Sequence, residues 1–346
     1  MARTFSIRTP LQGELADFMK LSGFECVHTA ELVRDLTCLL ASYREENIPL
    51  FPSVFVLPSR ETIFSLSPGT TRLVVGEANL GSAAEKVLKE CANLAIRGWA
   101  IYVSKIGENM AEYGVFRAII HSFATSAEEA MIEGNALSPV ILIRNCGRLV
   151  VELLNAKNDK FTVSFTSAPA SESLFFKHVD SFVFAVSNGL TEENRKVFKP
   201  YLFRFLTDVL QRSHGTLLAS YLQPANGTPP ETLKDGVWLT TPIDIASIHR
   251  TAVEANDAQS LATLTATEAL ITGMIASDGI VVFGTSGTLL GYHIFLKPTD
   301  EEKRNLPDGG GGRRRTYILM RSRLDNNLKA AFFRSQDGQS ECEKVD

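Results

Sequence analysis

The sequence predicts a two-domain α/β protein. Its 346 residues exceed the usual size of a single hydrophobic core. Short β-branched runs alternate with helical periods of apolar residues, which is typical of mixed sheets flanked by helices. We expect an N-terminal α/β domain with a mixed sheet over residues 1–190 and a second α/β domain, with a central mixed sheet, over residues 191–340. A short tail over residues 341–346 would follow, with disorder beginning at Ser340.

Composition excludes several classes of protein. Hydrophobic residues make up 45% of the chain and charged residues 21%, as in an ordinary soluble globular protein. No apolar run approaches the ~20 residues that span a bilayer, and the first residues lack a secretory hydrophobic region. We therefore expect a cytoplasmic protein that does not engage membranes. The net charge of −4 disfavours long nucleic acid, because such binding normally requires a basic face.

Cysteine usage argues against a disulfide framework and against a zinc site. The five cysteines are scattered, odd in number and never spaced as Cys-x-x-Cys. We interpret them as buried or bystander thiols.

The N-terminal half is predicted to begin with helix and to continue as alternating strands and helices. Residues 1–48 favour helix, because apolar positions between Leu32 and Leu40 recur with a period near 3.6, and Pro49 would end it. A helix capped by Ser82 is predicted over Ser82–Arg97. The predicted strands are Phe51–Leu57, Arg72–Gly76, Gly98–Lys105, Val140–Arg144, Arg148–Leu154 and Lys160–Thr166.

Three features of this half are candidate sites. They are the polar segment Pro58–Thr62, the pair Tyr113-Gly114 and His121 on an apolar helix face. Because single short motifs are weak, we interpret them as a turn, a packing contact and a core histidine. For the N-terminal half, the sequence leaves three roles open, namely regulation, dimerisation and partner binding.

The second domain is predicted to begin with a helix capped by Thr191, with acidic residues in its first turn. Pro200 is expected to kink or divide this helix, and His214-Gly215 to end it. Beyond it, the sequence predicts strands at Thr216–Leu222, Val237–Thr241, Ile280–Phe283 and Leu289–Leu296, helical runs at Ile243–Asn256 and Leu261–Ala276, and loops at Gln223–Lys234 and Asp300–Asn305.

Two clusters in this domain carry candidate chemistry. Asp278-Gly279 leads into a β-branched run, which indicates a turn that leaves a carboxylate at the mouth of a buried strand. The glycines at 309–312 let the backbone approach a ligand closely, and the helix that follows opens with three arginines. The start of this helix is expected to attract phosphate. Taken alone, the Asp-Gly pair could be an ordinary turn, and the glycines followed by arginines could be a flexible linker.

Together, these residues resemble the diadenylate cyclase domain family. The hallmark of the family is an Asp-Gly-Ala motif followed, some tens of residues later, by Gly-Thr-Arg-His-Arg. The matching positions are Asp278-Gly279-Ile280 and Gly311-Gly312-Arg313-Arg314-Arg315, and a strand ending in Ser335 follows them. The resemblance covers roughly the last two-fifths of the chain, from about Phe198.

The resemblance implies that two domains on separate protomers face each other, each with one ATP, and join them into cyclic di-AMP. It implies a homo-oligomer, Mg²⁺ or Mn²⁺ as cofactor, and Asp278 as the catalytic and metal-binding carboxylate. Gly279 and Leu296 would flank adenine. The remaining ligand contacts implied by the resemblance are Gly311, Gly312, Arg313, Arg314, Arg315, Thr316 and Ser335.

Departures from the family pattern bear on catalysis. The motif histidine is Arg314 here, the motif threonine is Gly312, and the acidic residue after the late serine is Gln336. A neutral amide coordinates a hard cation less favourably than a carboxylate, so the metal site is incomplete unless Asp337 substitutes. We therefore expect a sensor that binds ATP or an adenine dinucleotide without a cofactor. An active diadenylate cyclase is the alternative.

Overall fold

The computed structural model divides the chain into two compact units, Met1–Ser173 (unit 1) and Leu174–Asp346 (unit 2). None of the described helices is both long and apolar enough to cross a membrane. The described residues are 8–46, 48–67, 71–96, 98–119, 126–133, 139–147, 149–165, 174–213, 215–222, 233, 235–306, 311–324, 328–336 and 338–345.

Unit 1 is an α/β unit with a mixed sheet, as predicted. Seven of its strands form a sheet in the order β4-β6-β5-β3-β7-β8-β9, in which β3 and β5 are parallel and the other neighbours antiparallel. Its elements are α1 (Arg8–Leu21), α2 (Val27–Leu40), β1 (Arg44–Glu45), β2 (Ile48–Pro49), β3 (Val54–Leu57), α3 (Thr62–Leu66), β4 (Arg72–Asn79), α4 (Ala83–Cys91), β5 (Trp99–Lys105), β6 (Met110–Arg117), α5 (Ala127–Glu133), β7 (Ile141–Gly147), β8 (Val150–Asn155) and β9 (Lys160–Ser164).

The sheet of unit 1 is covered on both faces. One face packs against α1, α2 and α4 in a cluster that includes Leu36 and Val56. The other face packs against α3 and α5 around Phe55 and Met131. Since both faces are buried, all four residues of β3 are buried and read as a continuous apolar run.

The first helical region of unit 1 differs from the prediction. It forms two helices, and α2 ends at Leu40 instead of continuing to Pro49. The side-chain amide of Asn145 donates to the carbonyls of Leu40 at 2.5 Å and of Ala41 at 3.1 Å. These bonds satisfy carbonyls at the helix end, so a distant residue on β7 helps to set where α2 stops. Pro49 lies instead in β2, paired with β1.

Helix α4 also departs from the prediction. It ends at Cys91. Ser82 is in the N-cap position, yet within the described part of the chain its side chain makes no capping hydrogen bond.

Unit 2 is the second α/β unit that the sequence predicts, with a mixed sheet flanked by helices. Six of its strands form a sheet in the order β11-β13-β12-β10-β14-β15, in which β10 and β12 are parallel and the other neighbours antiparallel. Its elements are α6 (Leu174–Ser187), α7 (Glu192–Arg212), β10 (Thr216–Tyr221), β11 (Asp235–Asp244), α8 (Ile245–Ala255), α9 (Ala258–Ala276), β12 (Ile280–Gly284), β13 (Thr288–Phe295), α10 (Asp300–Asn305), α11 (Gly312–Ser322), β14 (Leu328–Arg334) and β15 (Ser340–Lys344).

Helix α6 packs within unit 2, against β14, β15 and α7. The Phe182 ring lies 5.9 Å from both Phe283 and Phe332, centroid to centroid. The division of the chain therefore falls before α6, whereas the sequence-based boundary follows residue 190.

Three local expectations in unit 2 are corrected. Helix α7 begins as predicted, with the Thr191 hydroxyl accepting from the Asn194 amide at 3.4 Å, but it continues undivided through Pro200. Pro200 is exposed, so water can reach the carbonyl that its ring leaves unbonded.

The predicted loop at residues 300–305 is helix α10. Thr299 and Glu302 form a capping box, and Glu302 also accepts from Arg323 at 2.7 Å.

The predicted disordered tail is strand β15, paired along its length with β14. Its polar sequence suits an edge strand that is half exposed.

Helix α8 carries a buried histidine that packs against α7. His249 is 1% exposed and stacks on Tyr201 with ring centroids 4.2 Å apart. Burial, and then the charge of Arg204, lower the pKa of His249 from 6.5 to about 4. The neutral imidazole is therefore favoured in the folded chain.

We predict that acidification destabilises unit 2 through His249. Stability is full above pH 6.5 and falls as the pH drops towards 4, because protonation favours the unfolded chain. Between pH 7.5 and 5 the loss attributable to His249 should be about 2 kcal/mol in the free energy of unfolding. Urea titrations of wild type and His249→Phe at both pH values measure it. An equal pH dependence in the two proteins would contradict the assignment.

We also predict that α6 is required for unit 2 to fold. A fragment of residues 174–346 should unfold cooperatively, whereas a fragment of residues 191–346 should be less stable by more than the ~3–5 kcal/mol cost of losing one buried Phe. Urea unfolding followed by circular dichroism compares them. Equal midpoints would mean that α6 is dispensable.

Candidate functional site

The candidate residues of unit 2 collect at one end of its sheet. Strands β10 and β12 are parallel and begin at this end, and the antiparallel strands β13 and β14 finish there. The register pairs Ile280 with Ile294. Consequently Asp278, just before β12, lies at the same edge as Leu296, just after β13, and Ser335, just after β14.

The basic and acidic clusters predicted from the sequence meet at this edge. An Nη2 atom of Arg313 lies 3.5 Å from Oδ1 of Asp278, and both side chains are substantially exposed, at 43% and 68%. Gly215, which precedes β10, has φ +94°, and a Cβ atom there would lie 3.2 Å from Nη1 of Arg313. The start of α11 is therefore held against the starts of β10 and β12. An exposed ion pair contributes at most ~1 kcal/mol, so the pair has little weight in folding.

Gly279 allows β13 to approach the turn before β12. It has φ +95°, and a Cβ atom there would lie 2.9 Å from the carbonyl carbon of His293. A larger residue would therefore clash with backbone as well as strain its own. The role of this residue is thus at least partly structural.

His293 is a site residue that sequence reasoning missed. Its Nδ1 lies 2.8 Å from the carbonyl oxygen of Asp278, and its own φ is +54°. If Nδ1 carries the proton and donates to that carbonyl, Nε2 is left as an acceptor. The position of His293 depends on the irregular register between β12 and β13, for which the sequence has no local signal.

The start of α11 presents positive charge. Its N-cap is Gly311, and among the described residues its first turn contains no acidic side chain and no side-chain cap. Cβ atoms at Gly311 and Gly312 would enter open space. Arg313 and Arg315 are exposed, so guanidinium groups add to the positive end of the helix dipole. Gly309 and Gly310 lie outside the described residues.

Arg314 and Thr316 are engaged elsewhere. Arg314 pairs with Glu341 of β15, and its guanidinium carbon lies 5.5 Å from the Phe333 ring centroid. The Thr316 hydroxyl donates to the carbonyl of Gly312 at 3.0 Å. Arg314 thus ties α11 to the sheet.

The end of β14 forms a tight turn into β15. The Ser335 hydroxyl accepts from the Gln339 amide at 2.9 Å, and the Ser335 amide donates to the Gln339 carbonyl at 2.7 Å. Gln336 is exposed, whereas Asp337 lies outside the described residues. Leu296 is half-buried against the core of unit 2. Within the described ranges, no three His, Cys, Asp or Glu side chains are grouped so as to hold a metal ion.

The weaker features of unit 1 occupy ordinary structural positions. In the segment Pro58–Thr62, the first four residues form the turn that leads into α3, and Thr62 is the first residue of that helix. Tyr113 on β6 is fully buried, and its hydroxyl donates to Glu90 at 2.5 Å. His121 lies outside the described residues.

Comparisons with models of protein families, with curated proteins and with solved structures find no match to this chain.

Proposed function

We propose that unit 2 is a sensor domain that binds ATP or an adenine dinucleotide. The observation that carries the proposal is the contact of Arg313, at the start of α11, with Asp278 and Gly215 at the edge of the sheet. A helix N-terminus with adjacent arginines is suited to phosphate, since backbone amides and guanidinium groups donate to the same oxygens. The motif resemblance supports adenine as the base, by analogy only.

Each part of the proposed ligand has a partner. Arg313 and Arg315 would bind the phosphates together with the amides of the first turn of α11. The Ser335 hydroxyl accepts from the Gln339 amide, so its hydrogen can donate to a phosphate oxygen. Leu296 and the backbone at Gly279 would flank the adenine ring.

Binding without turnover is favoured by the surroundings of Asp278. A divalent cation there would have to share the carboxylate with Arg313, whose guanidinium would repel it. Gln336 offers a neutral oxygen where the family has a carboxylate. The described residues therefore fit Mg²⁺ or Mn²⁺ poorly, and the proposed sensor needs no cofactor. We place it in the cytoplasm, as a homo-oligomer.

The second candidate is an active diadenylate cyclase, and His293 is the observation that favours it. With Nδ1 bonded to the Asp278 carbonyl, Nε2 can accept a proton at the edge of the site. In that case two copies of unit 2 would face each other, and the deprotonated group would be a ribose 3′-hydroxyl. A bound metal ion would neutralise part of the phosphate charge.

The phosphate role of the arginines predicts a selective loss of binding. Arg313→Ala and Arg315→Ala should each weaken the binding of ATP or cyclic di-AMP by about 2 kcal/mol, the scale of a lost charge-assisted hydrogen bond. Arg321→Ala is the matched control, because Arg321 lies in the last turn of the same helix, beside Glu343. Isothermal titration calorimetry measures all three. Unchanged affinity in both test variants would remove the phosphate assignment.

Sensor and enzyme are separated by metal dependence. The wild-type protein should bind nucleotide with little dependence on Mn²⁺ and form no dinucleotide. Gln336→Glu should strengthen Mn²⁺ binding severalfold, because an anionic oxygen replaces a neutral one, whereas Gln336→Asn should not. Equilibrium metal titration and chromatography of the products test this. Cyclic di-AMP made by wild type and abolished by Asp278→Asn would establish the enzyme instead.

A further inference from the structure

Unit 1 contains a cavity between its first two helices. Its volume is about 490 Å³, and side chains from α1, from α2 and from the segment that joins them line it. This volume is within the range of ~300–1,000 Å³ found for small-molecule sites. The cavity belongs to unit 1 alone and is separate from the residues of the nucleotide proposal.

The floor of the cavity is apolar and well packed. Leu15 and Met19 of α1 are each 1% exposed, and Phe24 is 9% exposed. These residues belong to the core that supports the sheet, so the floor is held in place by packing. A ligand would therefore enter a preformed site.

Two of the residues that line the cavity are small. Ala16 on α1 and Ala30 on α2 both line the cavity, and each contributes only a methyl group. Val27, which also lines it, is 67% exposed. An apolar ligand would cover this exposed surface, and its removal from water would favour binding.

The charges around the cavity balance. Its lining includes Lys20 and Arg34 as cations and Glu25 and Glu31 as anions. Arg34 Nε lies 2.9 Å from Asp35, and Glu31 lies 3.0 Å from Nδ1 of His28, so these two have partners in the protein. The lining offers no net charge to a ligand, and a charged ligand group would lose water without a matching gain.

We propose that this cavity is a binding site for an uncharged, apolar small molecule. The apolar floor favours an apolar ligand, and the balanced charges give a charged ligand, such as an anion, no net attraction to offset its lost hydration. The site would give unit 1 a ligand of its own, independent of any nucleotide at unit 2.

The reactivity of Cys26 can report whether a ligand occupies the cavity, since this residue lines the cavity at the start of α2. Burial opposes ionisation of the thiol, but the nearby donor groups of Thr29 and His28 at the start of α2 outweigh it and leave the pKa below its ordinary value. Iodoacetamide should therefore alkylate Cys26 readily, and a bound ligand should slow the reaction.

The first test uses the full-length protein and two fluorescent probes that share one ring system. N-phenyl-1-naphthylamine is uncharged, and 8-anilinonaphthalene-1-sulfonate is its sulfonated relative. The uncharged probe should bind saturably at one site per chain, at least tenfold more tightly than the anion, and should slow Cys26 alkylation at least threefold by peptide mass spectrometry. Absence of saturable binding, or equal affinity for the two probes, would overturn the proposal.

The second test fills the cavity from either side. Ala16→Trp and Ala30→Trp should each weaken binding of the uncharged probe at least tenfold, whereas Ala262→Trp, at an exposed position of α9 in unit 2, should leave it unchanged. Because Ala16 is exposed, the Ala16→Trp protein is expected to fold. If Ala30→Trp does not fold, Ala16→Trp alone tests where the probe binds. Undiminished binding in a folded Ala16→Trp protein would place the probe elsewhere and overturn the assignment.

Discussion

The parallel pairing of β10 with β12 is the constraint on which the candidate site depends. Every residue of both strands is buried, so the pair is fixed by packing on both faces. Because the strands run in the same direction, their first residues share one edge, and their antiparallel neighbours must end there. Residues far apart in sequence, such as Gly215, Asp278 and Ser335, are thereby brought to the same end of the sheet.

Electrostatics at this edge favours the recognition of anions over the binding of cations. Helix α11 begins with arginines, and one of them already faces the carboxylate of Asp278. A phosphate would add an acceptor for the guanidinium groups, whereas a divalent cation would meet them as a like charge. This difference is the physical basis on which we propose a sensor.

The core of unit 1 also forms the floor of the cavity between α1 and α2. Helices α1 and α2 each bury one apolar face against the sheet, and Leu15 and Met19 serve both that core and the cavity floor. Ala16 and Ala30, one from each helix, also line this cavity.

Local sequence by itself determined the fold class, most elements and the two motif clusters. Apolar periodicity located α7 and β12, and Thr191 capped its helix as predicted, because these signals act within a few residues. Glycine and arginine composition also sufficed to mark the start of α11 as a candidate anion site. The meeting of Asp278 with Arg313 has no local signal, because the two residues are far apart in sequence.

The tertiary structure decided what depends on distant partners. Asn145 caps the end of α2, Glu302 ties α10 to Arg323, and β15 exists because β14 supplies its backbone hydrogen bonds. The same holds for His293 at the site and for Arg314, which lies over Phe333. None of these contacts leaves a local pattern, since hydrogen bonds and ring contacts between remote residues depend on strand order and register, which sequence periodicity does not encode.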